Sequence, residues 1–345
     1  MHYKKLGNSD IKVSSLCLGT MTFGGQNTEK EAFEQLDFAL DQGINFIDTA
    51  EMYSIPTSAA TCGNSEKIIG NWLNLSNNRS KIILATKVTG PSRIKHIRQG
   101  KARFDEKNIF QAVEGSLKRL RTDYIDLYQL HWPDRQTNFF GSLTYKHQPD
   151  GQETPIEETL LALDKLIKSG KVRAMGISNE TAWGAMKFLQ LADSLNLPRV
   201  VSIQNPYNLL NRSFELNLAE ISHRENLSLL AYSPLAFGSL TGKYRNSSQP
   251  KGARCTLFKE FKRYFTSSAT KAIDAYYEVA KNHEVSLTQM ALAFVQQQDF
   301  VTSTILGATN LQQLKENLSS FETPLNKSLL KEIDKVHARF TYPAP

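Results

Sequence analysis

The sequence predicts an α/β fold, a closed (β/α)8 TIM barrel with an N-terminal β-hairpin and extra C-terminal helices. Short apolar runs alternate with longer amphipathic ones along nearly all 345 residues, an order typical of parallel sheets whose strands are connected by helices. Eight of these runs have the character of strands, and the length suits a barrel of about 250 residues with insertions. No change of composition divides the chain. We therefore predict one domain over residues 1–345 and favour the barrel over an open doubly wound sheet.

The eight strand candidates are short and rich in β-branched or aromatic residues, as buried strands are. In chain order they are SSLCLGT, NFIDTA, KIILATKV, IDLYQLHW, VRAMGIS, VVSIQN, LSLLAYS and VTSTILGA. Ahead of them, residues 2–13 predict a hairpin with its turn at GNSD. Loops at 89–104 and 133–155, and an insertion at roughly 235–285 after the seventh strand, account for much of the remaining length.

Helical patterns separate the strand candidates. Residues 29–42 repeat apolar side chains at the helical period. Residues 105–121 begin with an acidic turn and end in cations, an order that suits the helix dipole. Residues 155–170 begin with proline and end at glycine, which are typical of the two helix ends. Each pattern predicts a helix between two strands.

Composition indicates a soluble globular protein, with 40% hydrophobic and 22% charged residues. No apolar run approaches the roughly 20 residues that span a bilayer, and the first residues, MHYKKLGNSDIKVS, lack the apolar core of a secretory signal. Cys17, Cys62 and Cys255 are odd in number and scattered, which indicates a reducing compartment. We therefore expect a cytoplasmic protein without a membrane partner.

The net charge of +7 is concentrated most densely in PSRIKHIRQGKARF, within the loop 89–104. This stretch has two interpretations: a solvated surface loop, or a surface that steers an anionic ligand, such as an acidic substrate, to a nearby site. No zinc-finger spacing, aromatic RNA-binding motif or basic zipper accompanies it, so we predict no nucleic-acid partner.

Several common sites are absent from the sequence. No two glycines are two positions apart, which excludes a G-x-G-x-x-G dinucleotide fingerprint, and no G-x-x-x-x-G-K-[ST] loop occurs. H-E-x-x-H and cysteine pairs with zinc spacing are missing as well, so we predict no metal site.

Polar side chains stand where successive predicted strands end. Asp48 and Tyr53 follow the second strand, Lys87 closes the third and His131 closes the fourth. Taken singly, they suit a helix cap, a rim aromatic, a surface charge and a core histidine. Chance does not readily put an acid, a phenol, an amine and an imidazole at the same end of three strands, and barrel enzymes carry their chemistry at that end.

These four side chains suit one chemistry. A phenol has an ordinary pKa of about 10, and a neighbouring ammonium lowers that pKa by favouring the phenolate. A carboxylate beside the amine keeps the amine charged and fixed, and an imidazole near the phenol orients a carbonyl oxygen. The set therefore predicts a general acid that protonates an oxyanion as it forms.

Motifs along the chain resemble those of the aldo-keto reductases. They are LGTMTFGG, NFIDTAEMYS, ILATKV, LYQLHWPD, MGISN, IQNPYN and AYSPLAFGSLTGKY, in family order from about residue 3 to residue 340. Within that superfamily the chain is most similar to the branch that holds the potassium-channel β subunits. Two further stretches, QNPYNLLNRSFE and HARFTYPAP, resemble one bacterial protein of this branch.

The resemblance implies a role for each matching residue. It makes Tyr53 the catalytic acid, Lys87 and Asp48 its tuning pair, and His131 the orienting imidazole. It implies NADPH (NADP+) as cofactor, with positions from strand one to the last helix in contact with it. Those positions are Gly19, Thr20, Met21, Asp48, Ser178, Asn179, Gln204, Tyr232, Ser233, Pro234, Leu235, Ala236, Phe237, Gly238, Lys243, Tyr244, Arg254, Gly307, Thr309, Gln313, Glu316 and Asn317.

Within that set the implied roles differ. Ser178, Asn179 and Gln204 hydrogen-bond the nicotinamide carboxamide, and Tyr232 stacks on the ring. The segment 233–238 folds over the pyrophosphate together with Lys243 and Arg254. Small residues let the backbone approach such a ligand, and two cations neutralise its charge.

The adenosine end departs from the commonest family pattern, in which a lysine and an arginine bind the 2′-phosphate. Here LGATNLQQLKEN offers the glycine, hydroxyl and amide side chains of Gly307, Thr309, Gln313 and Asn317, with Glu316 among them. The channel-subunit branch has a similar arrangement, which favours NADPH. The alternative is a helix N-cap at Thr309 or Asn310 followed by a polar helix face.

The main hypothesis is an NADPH-dependent oxidoreductase that reduces an aldehyde or ketone to an alcohol, with Tyr53 as general acid. The alternative is a cofactor-sensing regulatory subunit with slow or vestigial activity, because the channel branch keeps the same residues. A phosphate-handling lyase or isomerase would leave Tyr232 unexplained. The sequence predicts neither the oligomeric state nor the identity of the carbonyl substrate. Aromatic residues near the mouth either line its pocket or pack their own loops; they are Tyr53, Trp132, Phe139, Phe140, Tyr145 and Tyr207.

Overall fold

Eight parallel strands close into a barrel in a computed structural model that describes residues 1–148, 151 and 153–344. The barrel strands are β3 Leu16–Gly19, β4 Phe46–Asp48, β5 Ile83–Val88, β6 Ile125–Leu130, β7 Val172–Ser178, β8 Ser202–Pro206, β9 Ser228–Tyr232 and β10 Val301–Leu306. Neighbours in the barrel follow chain order, and β10 pairs with β3 to close it. Each predicted strand overlaps an observed one, and VRAMGIS coincides with β7. The predicted fold class is confirmed.

The hairpin consists of β1 Tyr3–Lys5 and β2 Lys12–Ser14, which pair antiparallel as predicted. Its apolar side chains pack against the N-terminal end of the barrel interior. The residues that fill this end are Leu6, Val13, Phe46, Leu127 and Leu230. Burial of one such side chain stabilises the fold by about 1.5–3 kcal/mol. The hairpin therefore closes one end of the barrel with an apolar plug.

Helices surround the barrel. They are α1 Glu29–Asp41, α2 Asn64–Ser76, α3 Glu106–Leu120, α4 Ile156–Lys168, α5 Ala182–Ser194, α6 Leu218–Glu225, α7 Arg254–Leu257, α8 Ser267–Asn282, α9 Leu287–Gln296, α10 Leu311–Ser319 and α11 Lys327–Arg339. The helices predicted at 29–42, 105–121 and 155–170 are α1, α3 and α4, and the predicted insertion holds α7 and α8. No helix in the described part of the chain is both long and apolar enough to cross a membrane.

Local sequence signals account for the helix starts. Thr28 and Glu31 form a reciprocal capping box at the start of α1, and Asp105 caps α3 by accepting from the backbone N–H of Asn108. Such a side-chain cap satisfies an otherwise unpaired donor and contributes about 1 kcal/mol. On α3, Ile109, Val113, Leu117 and Leu120 are buried at helical spacing, so one face of this helix packs inward.

At the carboxyl ends of the strands the barrel interior is polar, because Lys87, Gln129 and Gln204 are buried there. Buried polar groups must find partners within the protein. Three long segments rise at the same end: the loops 89–104 and 133–155, and the insertion after β9. Part of the second loop, residues 149, 150 and 152, lies outside the described residues. The fold thus places a polar centre beneath the longest loops.

Candidate active site

Four side chains meet at the polar end of the barrel, and they come from β4, the loop after β4, β5 and the residue after β6. Lys87 Nζ donates to Asp48 Oδ2 at 2.5 Å and to the Thr49 carbonyl at 2.8 Å. The same nitrogen lies 4.9 Å from the centroid of the Tyr53 ring. The His131 and Tyr53 rings are 5.7 Å apart at an angle of 76°. The structure therefore brings together the four residues that the sequence predicted as catalytic.

Electrostatics keep Lys87 charged although its side chain is fully buried. Burial alone lowers the pKa of Lys87, but the Asp48 carboxylate and the Tyr53 hydroxyl favour the ammonium, so the pKa ends above its ordinary value. A buried cation is stable only with such partners. Lys87 is therefore a permanent positive charge next to the phenol.

The pKa of Tyr53 corrects a prediction. The neighbouring ammonium was predicted to lower it, and Lys87 and Arg254 do act in that direction. Burial outweighs them and Asp48 adds to its effect, so the pKa of Tyr53 lies above its ordinary value of 10.0. Enclosure in protein disfavours the phenolate more than one ammonium can offset. Tyr53 is thus a protonated donor at neutral pH, and Lys87 stabilises the phenolate when the proton leaves.

His131 is a neutral imidazole. Burial, and then the Lys87 ammonium, hold its pKa well below 6.5. Its Nδ1 atom is buried and has no hydrogen-bond partner among the described residues. A neutral ring can donate one hydrogen bond without competing with Tyr53 as a proton source. This suits the predicted orienting role.

Gln129 is part of the site, although sequence reasoning missed it. Asp48 Oδ1 accepts from Gln129 Nε2 at 3.0 Å and from Gln204 Nε2 at 2.9 Å. Its other oxygen accepts from Lys87, so the carboxylate is held from three sides. A lone amide within the apolar strand IDLYQLHW, two positions before His131, was the available signal.

A buried ion pair supports the loop that carries Tyr53. Both terminal nitrogens of Arg98 donate to the Glu51 carboxylate at 2.7 Å. That carboxylate also accepts from the Thr89 N–H at 2.5 Å, and the Glu51 N–H donates to the Lys87 carbonyl at 3.2 Å. Glu51 thereby ties the Tyr53 loop to the end of β5. Neither Glu51 nor Arg98 was singled out as a site residue from the sequence.

The basic residues of the loop 89–104 differ in their exposure to solvent. Arg93, Lys95 and Lys101 are exposed, as in a solvated loop. Arg98 turns inward to Glu51, and its side chain is only 7% exposed. Its charge is used inside the protein, so it adds little to any field that would attract a ligand.

The residues predicted at the nicotinamide end are neighbours on β7, β8 and β9. Ser178 Oγ donates to the Gln204 carbonyl at 2.8 Å, and Asn179 Nδ2 donates to the His131 carbonyl at 2.8 Å. The Tyr232 hydroxyl donates to Asn179 Oδ1 at 2.6 Å. These side chains therefore form one hydrogen-bonded polar surface beside the imidazole.

The segment 233–238 is a run of tight turns. Ser233, Ala236, Phe237 and Gly238 have positive φ, from 48° to 89°, and the N–H groups of Ala236 and Gly238 donate to the carbonyls of Ser233 and Leu235 at 2.9 and 2.8 Å. A Cβ at Gly238 would lie 2.8 Å from Lys243 Cε and 2.9 Å from its Nζ. The lysine side chain therefore lies close against the backbone of this segment. Pro234 and Leu235 complete the turn.

Lys243 and Arg254 are cations that form no ion pair within the described part of the chain. Among the described residues no carboxylate lies within ion-pair distance of either side chain. Burial lowers the pKa of both groups. Tyr244 lies between them, because its hydroxyl accepts from the Cys255 N–H at 3.1 Å and its ring centroid is 5.4 Å from Lys243 Nζ. Partly buried unpaired cations of this kind suit an anionic ligand.

The end of β3 contributes backbone and packing. The hydroxyl of Thr20 donates to the Asp48 carbonyl at 2.9 Å, and Met21 packs against the apolar cluster that includes Tyr53. A Cβ at Gly19 would lie 2.7 Å from a methyl of Ile305. Gly19 therefore permits close packing against β10.

At the predicted adenosine end the side chains bond to one another. The N–H and hydroxyl of Thr309 both donate to Gln313 Oε1 at 3.0 Å. Asn317 Nδ2 contacts the Gly307 carbonyl at 3.4 Å, and the exposed Glu316 acts electrostatically on Lys243. The N-cap of α10 is Asn310 and not Thr309. Space around Gly307 is open.

Three of the predicted aromatic residues form a wall at the mouth. Trp132 lies 5.0 Å from the His131 ring and 5.6 Å from the Phe140 ring, and Phe139 packs on Phe140 at 5.1 Å. Tyr145 is exposed and bonds to His147 within its own loop.

Tyr207 lies elsewhere, so of its two interpretations the packing one holds and the lining one does not. Its fully buried ring stacks on Phe294 and its hydroxyl donates to Glu215 at 2.5 Å. It follows the last residue of β8 and packs outward against the helices.

A phenol, an ammonium and an imidazole lie together at the carboxyl ends of barrel strands, which is where barrel enzymes carry their chemistry. The chain belongs to the aldo/keto reductase family, whose model matches residues 15–338. No three His, Cys, Asp or Glu residues in the described ranges are grouped so that they could hold a metal ion.

Curated relatives confirm the predicted resemblance. Protein Tas of Escherichia coli K12 is 52% identical over 347 residues, which cover all of both chains. The chain is 32% identical to the protein named uncharacterized oxidoreductase YrpG of Bacillus subtilis strain 168, over 97% of this chain and 96% of YrpG. It is also 32% identical, over the same shares, to a probable voltage-gated potassium channel subunit beta of Arabidopsis thaliana.

Proposed function

We propose that the protein reduces an aldehyde or ketone to an alcohol with NADPH, and that Tyr53 is the general acid. The observation that carries this proposal is the position of one ammonium. Lys87 Nζ is held by Asp48 at 2.5 Å and lies 4.9 Å from the Tyr53 ring centroid. A permanent charge at that place stabilises the phenolate that remains after proton transfer.

The residues at the mouth fit a dinucleotide. Lys243 and Arg254 would neutralise its pyrophosphate, and the tight turns of segment 233–238 would lie over it. Asn179, Gln204 and Ser178 would bind the carboxamide beside the ring of Tyr232. When bound, a reduced nicotinamide supplies the hydride that the carbonyl carbon receives. The adenosine end of the cofactor would lie against Gly307, Thr309, Gln313 and Asn317, with Glu316 at the edge of this set. We propose that these residues give the preference for NADPH.

The protein's own groups then handle the oxygen of the carbonyl. The neutral imidazole of His131 donates a hydrogen bond that orients it. Tyr53 transfers its proton to that oxygen as negative charge develops, and Lys87 stabilises the resulting phenolate. Asp48 holds the ammonium in position, and Gln129 holds Asp48. Trp132 and Phe140 border the site on the side of His131.

Replacing Tyr53 with Phe tests this assignment. Loss of a general acid lowers the rate by roughly 10²–10⁴-fold, so turnover of an aldehyde panel should nearly vanish while NADPH binding, measured by fluorescence titration, persists. Tyr145→Phe is the matched control, because it removes the same hydroxyl from an exposed ring. Undiminished turnover by Tyr53→Phe would remove the phenol from the mechanism.

A second candidate is a regulatory subunit that senses the cofactor and turns over slowly. The relative named as a potassium channel subunit beta favours it, at 32% identity over 97% of this chain. Near-zero steady-state rates on every aldehyde and ketone tested, together with tight NADPH binding, would support this candidate. We propose the cytoplasm as the compartment for either function, since Cys17, Cys62 and Cys255 are free thiols.

A further inference from the structure

A cavity of about 230 Å³ lies beside the aromatic wall at the mouth of the barrel. The loop 138–143 forms one side, and the ends of β7 and β8, with Asn179 and Asn205, form another. Arg263, from the insertion after β9, lines the same space. The cavity is open enough to admit a small group and is lined by amides, hydroxyls and aromatic rings.

Among the residues that the structure describes, Arg263 has only neutral partners. Its guanidinium interacts with the hydroxyls of Tyr232 and Tyr264, and lies 5.6 Å from the Phe140 ring and 5.5 Å from the Phe237 ring. Within the described part of the chain, no carboxylate reaches ion-pair distance of it. A guanidinium has five N–H donors. The hydroxyls of Tyr232 and Tyr264 do not occupy all five, so several N–H groups can bind a ligand.

The one acidic residue among the described lining residues does not cancel this charge. Glu180 accepts from both terminal nitrogens of Arg135, at 2.9 and 2.5 Å, and its side chain is 3% exposed. Its charge is already neutralised by that fork. The cavity therefore has an excess positive charge that comes from Arg263.

The cavity adjoins the reactive centre through one residue, Asn179. Asn179 lines it and also donates to the His131 carbonyl. The Trp132 ring centroid lies 5.0 Å from that of His131 and 5.6 Å from that of Phe140. The Phe140 ring centroid in turn lies 5.6 Å from the Arg263 guanidinium. A ligand lying along this wall would have one end at Tyr53 and the other at Arg263.

We propose that this cavity is a subsite for an anionic oxygen group, a carboxylate or a phosphate, at the far end of the carbonyl substrate. Arg263 would bind the group through two parallel N–H donors, the geometry that guanidinium forms with both anions. The substrate class is then an aldehyde or ketone with an acidic group separated from its carbonyl by an aromatic or apolar body. This inference rests on the proposed reductase function.

Matched substrate pairs test the subsite. One pair is 4-carboxybenzaldehyde with its methyl ester, a second is 4′-formylbiphenyl-4-carboxylate with its ester, and a third is 4-formylphenyl phosphate with benzaldehyde. We expect the unchanged protein to favour the acid of at least one pair in kcat/KM. The biphenyl pair covers the longer distance along the wall, and the phosphate pair distinguishes the two anions.

Arg263→Gln should lower kcat/KM for the preferred acid by roughly tenfold to a hundredfold, the range for a hydrogen bond to a charged group, and leave the neutral partner nearly unchanged. Lys262→Gln is the matched control, because it removes an exposed charge from the neighbouring position. NADPH titration of each variant verifies that the fold and cofactor site persist.

The outcomes separate the two proposals. Equal turnover of acid and neutral substrates by the unchanged protein would overturn the subsite and leave the reductase intact. An equal loss on both members of a pair in Arg263→Gln would also overturn it, since Arg263 would then act only by packing. Absence of turnover with every carbonyl compound would overturn the reductase function and the subsite with it.

Discussion

Arg98 binds Glu51 with both terminal nitrogens at 2.7 Å, although the two residues come from different loops and are 47 positions apart. Each side chain is 7% exposed. Glu51 precedes Tyr53 by two residues and donates its own N–H to the carbonyl of Lys87. The pair therefore fixes the loop that carries the phenol relative to the strand that carries the ammonium.

Breaking this pair should reduce both stability and turnover. Arg98→Met leaves the Glu51 carboxylate buried without its partner, a change that costs about 3–5 kcal/mol in comparable buried pairs. We expect a lower midpoint in urea unfolding and a lower kcat, because the Tyr53 loop loses its support. Lys95→Met removes an exposed cation from the same loop and should change neither quantity. Equal behaviour of the two variants would contradict the positioning role.

Gly238→Ala tests the cofactor contact that we propose for segment 233–238. The added methyl would meet Lys243 Nζ at 2.9 Å in a backbone with φ of 89°, so the ammonium must move. We expect the Kd for NADPH to rise by roughly tenfold, equivalent to about 1.4 kcal/mol. Gly252→Ala is the matched control, since its φ is 76° and nothing lies within 4 Å of the added Cβ. If Gly252→Ala raised the Kd for NADPH as much as Gly238→Ala does, the effect would come from backbone strain and not from the displaced ammonium.

Protonation of His131 gives the fold a pH dependence with a defined sign. Burial and Lys87 hold its pKa well below 6.5 in the folded protein. As the pH falls through about 6.5, His131 takes up a proton in the unfolded chain but not in the folded chain. The contribution of His131 to the free energy of unfolding is therefore fully present above that pH and is lost as the pH falls below it. His131→Asn should show a smaller fall in Tm between about pH 8 and pH 5. His147→Asn, at an exposed position, should behave like the unchanged protein.

The fold and the meeting of the candidate catalytic residues were predictable because their signals are local. The strand VRAMGIS and the helix over 105–121 are visible in short windows of sequence. The carboxyl ends of parallel strands meet at one edge, which was enough to bring Asp48, Lys87 and His131 together.

Residues whose roles depend on distant partners were missed. Gln129 acquires its role from Asp48, 81 positions away, and Arg98 acquires its role from Glu51. The balance of charges at Tyr53 also depends on burial, which the strand-end pattern does not describe. The position of Tyr207 also depends on distant partners, because packing against helices sets the direction of a side chain after a strand end.

The most direct test of the central claim is the turnover of Lys87→Met. Without the ammonium, the Tyr53 phenolate loses the charge that stabilises it, so kcat should fall by roughly 10²–10⁴-fold while the Kd for NADPH stays near that of the unchanged protein. Added methylammonium should restore part of the rate, because it can occupy the space of the missing amine. A Lys87→Met protein that reduces aldehydes at the unchanged rate would contradict the account.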